Sequence, residues 1–175
     1  MDATLLQRGR SPDLGIRPGE EALTLTWADA RERELVIRLA ASEGRQAMSL
    51  RTAPRAKLVV LRRPQGGIAG WAGMDADSDP KRPELFSRYV YPEYRGRGLA
   101  ALLEHICWAY LDARGCATAY MHMEVDSTKD LFKRRRAAGY CRQVVVAVDV
   151  RKGLAASIAA RGPLDIDALP IRVLR

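Results

Sequence analysis

Glu84–Arg114, ELFSRYVYPEYRGRGLAALLEHICWAYLDAR, changes its periodicity once, and that change decides how the chain is read. Residues 84 to 91 are rich in aromatic and branched types and read as a strand, which Pro92 ends because it has no N–H to give a ladder. From Leu99 apolar residues recur at helical spacing, so Leu99, Leu102, Leu103, Ile106 and Tyr110 share one helix face. Gly115, just past Arg114, is a C-terminal stop for that helix.

Between strand and helix lies Arg95-Gly96-Arg97-Gly98-Leu99-Ala100. Its small residues let a ligand approach the backbone, and the first helical turn leaves several N–H groups without intrahelical partners. A diphosphate would satisfy those donors, with the helix dipole and two arginines adding to the attraction.

The spacing is more specific than a generic anion cradle. Arg95-x-x-Gly98-x-Ala100, preceded by Val90-x-Pro92, resembles the Arg/Gln-x-x-Gly-x-Gly/Ala signature of the GNAT superfamily of acyl-CoA-dependent N-acetyltransferases. In that family the signature lies between the fourth strand and the third helix. The resemblance implies an α/β (α+β) fold: a central mixed, mostly antiparallel twisted sheet of six to seven strands, about four flanking helices, and fourth and fifth strands that are parallel and splayed. It further implies that Arg95, Gly96, Arg97, Gly98, Leu99 and Ala100 hold the pyrophosphate of acetyl-CoA, and that the backbone of Val90 and Tyr91 meets its pantetheine arm and carbonyl.

The chain of 175 residues is most simply one domain, with a loose start over 1–22 and a C-terminal extension over 152–175. Its 47% hydrophobic and 29% charged residues are ordinary for a globular protein. Apolar runs are too short to cross a bilayer, and MDATLLQRGR lacks the pattern of a secretory signal, so a cytoplasmic protein with no membrane partner is expected. Cys107, Cys116 and Cys141 are odd in number and widely spaced, which fits neither a disulfide framework nor a zinc site. The net charge of +8 suits an anionic partner such as coenzyme A. Nucleic acid would rest on charge alone, because no zinc-finger spacing, aromatic-studded RNA-binding strand or long basic helix accompanies it. The oligomeric state is open, a homodimer included.

Outward from the central stretch, the first strand is either Leu14 to Arg17 or Leu23 to Trp27. Ala28 to Ala41 is helical, a short helix over Arg45 to Leu50 follows, and in the resemblance this pair forms part of the acceptor side. Lys57–Arg62, a turn at Pro64–Gly67 and Ile68–Met74 make an antiparallel hairpin, with Gly70 and Gly73 marking a bulge or close packing. Asp75, Asp77 and Asp79 lie in a polar loop without the Gly-then-Glu continuation of a calcium site, so no metal is expected; a solvated loop that attracts a cationic acceptor is the reading. Thr118–Val125 reads as a strand, Ser127–Ala138 as a helix, Cys141–Val150 as a strand, Leu154–Ala160 as a small helix and Ile171–Leu174 as a last strand.

Acyl transfer to a primary amine needs a base, a donor for the carbonyl oxyanion and a proton for the departing thiolate. Glu84 lies six residues before Val90, so strand alternation puts both on one face, the place of a strand glutamate that some family members use as base. Glu124 on the next strand is its rival. The acid is where the sequence departs from the family: counting back from Gly139 puts Thr128 and Arg135 where many members carry Asn and Tyr. Tyr89, Tyr91, Tyr94 and Tyr140 are substitutes, and Tyr140 joins Glu84 and Glu124 as a catalytic candidate. A free thiol of pKa about 8.5 can also leave unaided. Lys133–Arg136 reads as a solvated basic face or as a contact for the 3′-phosphate end. The expected activity is acetyl transfer from acetyl-CoA to an amine of a small molecule or protein; the alternative is a catalytically weak acyl-CoA-binding module.

Overall fold

A computed structural model describes residues 22–42, 54–124 and 143–173. Seven strands form one sheet: β1 (Leu23–Trp27), β2 (Lys57–Arg62), β3 (Ile68–Asp75), β4 (Glu84–Val90), β5 (Thr118–Glu124), β6 (Gln143–Asp149) and β7 (Ile171–Val173). Their order is β6-β5-β4-β3-β2-β1-β7. All neighbours are antiparallel except β4 and β5, which run parallel. Three helices flank the sheet among the described residues: α1 (Ala30–Ser42), α2 (Leu99–Ala113) and α3 (Val150–Arg161). The helices expected over 45–50 and 127–138, the strand candidate at Leu14–Arg17, Val125 and Cys141 lie outside the described residues.

Alternation along the strands sorts the core into two layers. Leu58 and Val60 of β2 face α1, where Val36, Ile37 and Ala40 meet them. Val59 and Leu61 face α2, whose Leu99, Leu103, Ile106 and Tyr110 are all buried. That helix is covered on more than the predicted stripe: His105, Cys107, Trp108 and Leu111 are buried too, because α3 packs on its outer side. A Cβ on Gly153 of α3 would lie 2.7 Å from the Trp108 ring, so the two helices are in contact there.

Element ends follow capping chemistry that periodicity does not show. The first helix starts at Ala30 rather than Ala28, because Asp29 and Glu32 form a reciprocal capping box: the Glu32 amide donates to Asp29 Oδ1 (2.8 Å) and the Asp29 amide to Glu32 Oε2 (3.0 Å). Glu32 also pairs with Arg62 of β2, tying α1 to the sheet. The C-terminal helix starts at Val150 rather than Leu154, and β6 correspondingly ends at Asp149, whose carboxylate caps the Lys152 amide (2.9 Å). Of the two candidates for the first strand, Leu23–Trp27 is in the sheet, between β2 and β7.

Candidate active site

β4 is not a regular strand. Trp71 pairs with Tyr89 and Gly73 with Phe86, so Ser87 and Arg88 together oppose Ala72. This is a bulge, and Ser87 carries its strain with φ of 54°. The buried Ser87 hydroxyl accepts a hydrogen bond from the Trp71 indole Nε1 (3.2 Å). Gly70 and Gly73 on the facing strand supply the close packing: a Cβ on either would lie within 2.8 Å of β4 atoms, the Tyr89 carbonyl oxygen and the Phe86 ring respectively.

The extra residue reverses the alternation. Leu85 and Val90 fall in the α2 layer, while Phe86 and Tyr89 fall in the α1 layer. Glu84, two residues before Phe86, therefore belongs to the α1 face and not to the face of Val90, which corrects the unbroken alternation expected from sequence. Its carboxylate is half-buried and lies 3.3 Å from Arg82 Nε. Glu124 ends β5 opposite Gln143 of β6. Tyr140, Thr128, Arg135 and Lys133–Arg136 lie outside the described residues.

β4 and β5 pair only at Glu84–Tyr120 and Leu85–Met121, after which no pairing joins them. The Tyr91 amide donates to the Ala69 carbonyl (3.0 Å), which makes Gly70–Val90 a pair whose N–H and C=O groups turn away from each other. Val90 thus directs its backbone toward the unpaired side of β4. The Tyr91 amide, by contrast, is already held by the Ala69 carbonyl. The Val90 carbonyl accepts from Arg95 Nε (3.0 Å), and the Arg95 guanidinium sits over the Tyr89 ring, 5.6 Å from its centroid.

After β4, Pro92–Tyr94 makes one 3-10 turn, closed by the Tyr94 amide on Tyr91 O (2.9 Å) and the Arg95 amide on Pro92 O (3.2 Å). Tyr94 is 2% exposed and anchors this turn in the core. Gly96 (φ 79°) and Gly98 (φ 71°) are both left-handed, a conformation that only glycine adopts without strain. Gly98 is the N-cap of α2 and contributes no side-chain cap. The first helical bond is Leu102 N–H to Gly98 O (3.1 Å), so the amides of Leu99, Ala100 and Ala101 have no intrahelical partner. A Cβ on Gly96 would meet nothing within 4 Å, so the space beside that turn is open. Open amides at a positive helix end, a solvent-exposed loop and arginines fit a diphosphate.

The remaining titratable groups near this helix are set by burial. Cys107 is 1% exposed, and burial pushes its thiol up to about 12 against a smaller opposing effect of Arg88. His105 is fully buried with no hydrogen-bond partner for either ring nitrogen among the described residues; burial first, and then the Arg161 charge, lower its pKa. Tyr89 and Tyr94 are buried and Tyr91 is half-buried. The acidic loop is self-satisfied: Asp75 is buried and accepts from the amides of Asp77 (3.0 Å) and Ser78 (2.9 Å), while Asp77 meets Arg114 (3.2 Å) and the Tyr110 hydroxyl (3.3 Å). Asp79 is exposed and accepts from the Lys81 amide (3.0 Å), so of the three carboxylates it alone stands fully toward solvent. Sequence reasoning missed Ser87, which has no local mark of a positive φ, and Arg161, which lay one residue beyond the expected end of the last helix.

A family model described as Acetyltransferase (GNAT) family matches residues 20–136. The chain belongs to the GNAT acetyltransferase family. Solved structures agree at the level of the fold. A Klebsiella pneumoniae protein assigned to the acyl-CoA N-acyltransferases is 21% identical, over 73% of this chain and 97% of its own, with a TM-score of 0.52. A Desulfovibrio desulfuricans protein of the GNAT family is 14% identical over 72% and 99%, also at 0.52. The ribosomal-protein-S18-alanine N-acetyltransferase of Escherichia coli is 16% identical over 73% and 94%, at 0.51. A comparison with curated protein sequences gave no match. Among the described residues of this GNAT chain, no helix is long and apolar enough to cross a membrane.

Proposed function

We propose that this GNAT protein transfers an acetyl group from acetyl-CoA directly to an amine of a small molecule or protein, with residues 1–175 acting as one domain. The observation that carries the reading is the turn at Gly96–Ala100, where two left-handed glycines leave the first amides of α2 open beside a strand that parts from its parallel neighbour. One domain is supported by β7, which pairs with β1 in the same sheet.

In this reading the amides of Gly98, Leu99 and Ala100 bind the diphosphate, with Arg95, Gly96 and Arg97 completing the loop. The backbone of Val90, directed at the unpaired side of β4, orients the pantetheine arm and donates its N–H to the carbonyl oxygen as negative charge develops there. The amine nitrogen attacks the thioester carbon, the C–N bond forms, the C–S bond breaks, and the sulfur leaves as thiolate. A proton leaves the amine to Glu84, directly or through a water, from the α1 face of β4. Glu124 is the alternative base. A thiolate with a solution pKa of about 8.5 departs without a dedicated acid; Tyr140 is the candidate donor if one acts.

Calorimetry with acetyl-CoA tests the site, and a thiol-release assay over polyamines, aminoglycosides and peptides with free N-terminal alanine tests turnover. Micromolar binding with amine-dependent thiol release is expected. Binding without release from any amine would favour the acyl-CoA-binding module; no binding would remove both.

A further inference from the structure

α3 runs antiparallel to α2. It begins at the far end, where the Val150 amide donates to Ala117 O (3.1 Å), passes Trp108 at Gly153, and ends with Arg161 against the first turn of α2. A Cβ on Gly98 would lie 3.1 and 3.3 Å from the two terminal nitrogens of the Arg161 guanidinium. Arg161 is exposed, and among the described residues no carboxylate pairs with it. Among the described residues Glu93, the acidic residue of the preceding turn, is in no ion pair with Arg161 either.

This placement is electrostatically unfavourable as it stands. A helix N-terminus carries partial positive charge and disfavours a cation. Arg161 complements the C-terminal end of its own helix, which accounts for an arginine in that last turn but not for its lying on the positive end of another. The His105 imidazole, one face of α2 with Gly98 by its seven-residue spacing, is fully buried and held neutral, so it adds no charge. Arg151 and Lys152 sit at the opposite end of α3. An anion placed over the first turn of α2 would meet the open amides and the Arg161 guanidinium together.

We infer that Arg161 is a phosphate-binding residue of the cradle, reaching the diphosphate of acetyl-CoA from the α3 side through the space that Gly98 leaves by lacking a side chain. The inference rests on the proposed function and adds to it a residue from outside the segment that the family model matches. The planar fork of a guanidinium meets two phosphate oxygens in a fixed geometry that a lysine ammonium, a rotatable point charge, does not impose.

The test is calorimetry on the full chain with CoA and with 3′-dephospho-CoA, for wild type, Arg161→Gln and Arg161→Lys, alongside thermal melts without ligand. Arg161→Gln should bind both ligands about tenfold more weakly, as expected for one lost charge-assisted contact, with Arg161→Lys between the two. Its ligand-free melting temperature should stay close to wild type, because the exposed cation leaves the positive end of α2 and the negative end of α3 at once. Equal affinities for wild type and Arg161→Gln would overturn the inference and leave the proposed function standing. A loss confined to CoA would also overturn it, by moving the contact to the 3′-phosphate. Wild type that bound neither ligand would instead remove the proposed function, and this inference with it.

Discussion

Replacing Ser87 separately by alanine and by glycine tests the bulge that decides which side of β4 each candidate group occupies. Both substitutions remove the hydroxyl that accepts from the buried Trp71 indole, and leaving that N–H unsatisfied costs about 1–3 kcal/mol in each. The difference between them isolates the backbone. In an ordinary strand glycine is less stable than alanine by about 0.5–1 kcal/mol, because it loses more chain entropy on folding. At a φ of 54° alanine bears a left-handed strain of about 1–2 kcal/mol that glycine does not. The two effects leave the glycine variant about 0.75 kcal/mol more stable at their central values, which for a chain of this length is about 1.5–3 °C in Tm. Urea unfolding and thermal melts of the two variants read the sign directly. An alanine variant as stable as the glycine variant, or more so, would refute the positive φ. Alternation along β4 would then be unbroken and Glu84 would return to the face of Val90.

Three further outcomes are expected. Gly98→Glu places a carboxylate over the open amides and beside Arg161, so acetyl-CoA affinity should fall more than 100-fold, while unfolding free energy drops only by the left-handed strain of about 1–2 kcal/mol; unchanged affinity would falsify the site. Glu84→Gln should lower kcat/KM about 10²-fold or more at neutral pH, where the amine is protonated, and less as pH rises; a rate equal to wild type would pass the base role to Glu124 or to water. Cys107 should resist thiol reagents at pH 8 until the protein unfolds, because burial raises its pKa to about 12. An acid whose folded pKa is raised contributes stability below the unfolded value near 9 and loses it as pH rises toward 12, so urea midpoints should fall over that window less steeply in Cys107→Ala than in wild type.

Much of the fold was legible because its signals are local. The hairpin of β2 and β3, the strand over 84–90 and the helix from Leu99 each announce themselves by period, by Pro92 and by glycine turns, and the glycine loop between β4 and α2 is where the spacing put it. What could not be read depends on partners distant in sequence or on atoms with two roles. The bulge at Ser87 is held by Trp71 on another strand, so the parity of β4 could not be counted from its own residues. Asp149 is at once the last residue of β6 and the cap of α3, which hid a helix start inside an apparent strand. The place of β7 beside β1 joins opposite ends of the chain, and nothing in three residues specifies it. That the Tyr91 amide is held by the Ala69 carbonyl depends on pairing across two strands and could not be read from residues 84–91 alone.

The most direct measurement is a crystal structure of the chain soaked with acetyl-CoA. Diphosphate oxygens should lie about 3 Å from the amides of Gly98, Leu99 and Ala100, with the pantetheine arm along the unpaired side of β4 toward Ser87. Ligand density seated anywhere else, with those amides facing only solvent, would contradict the account.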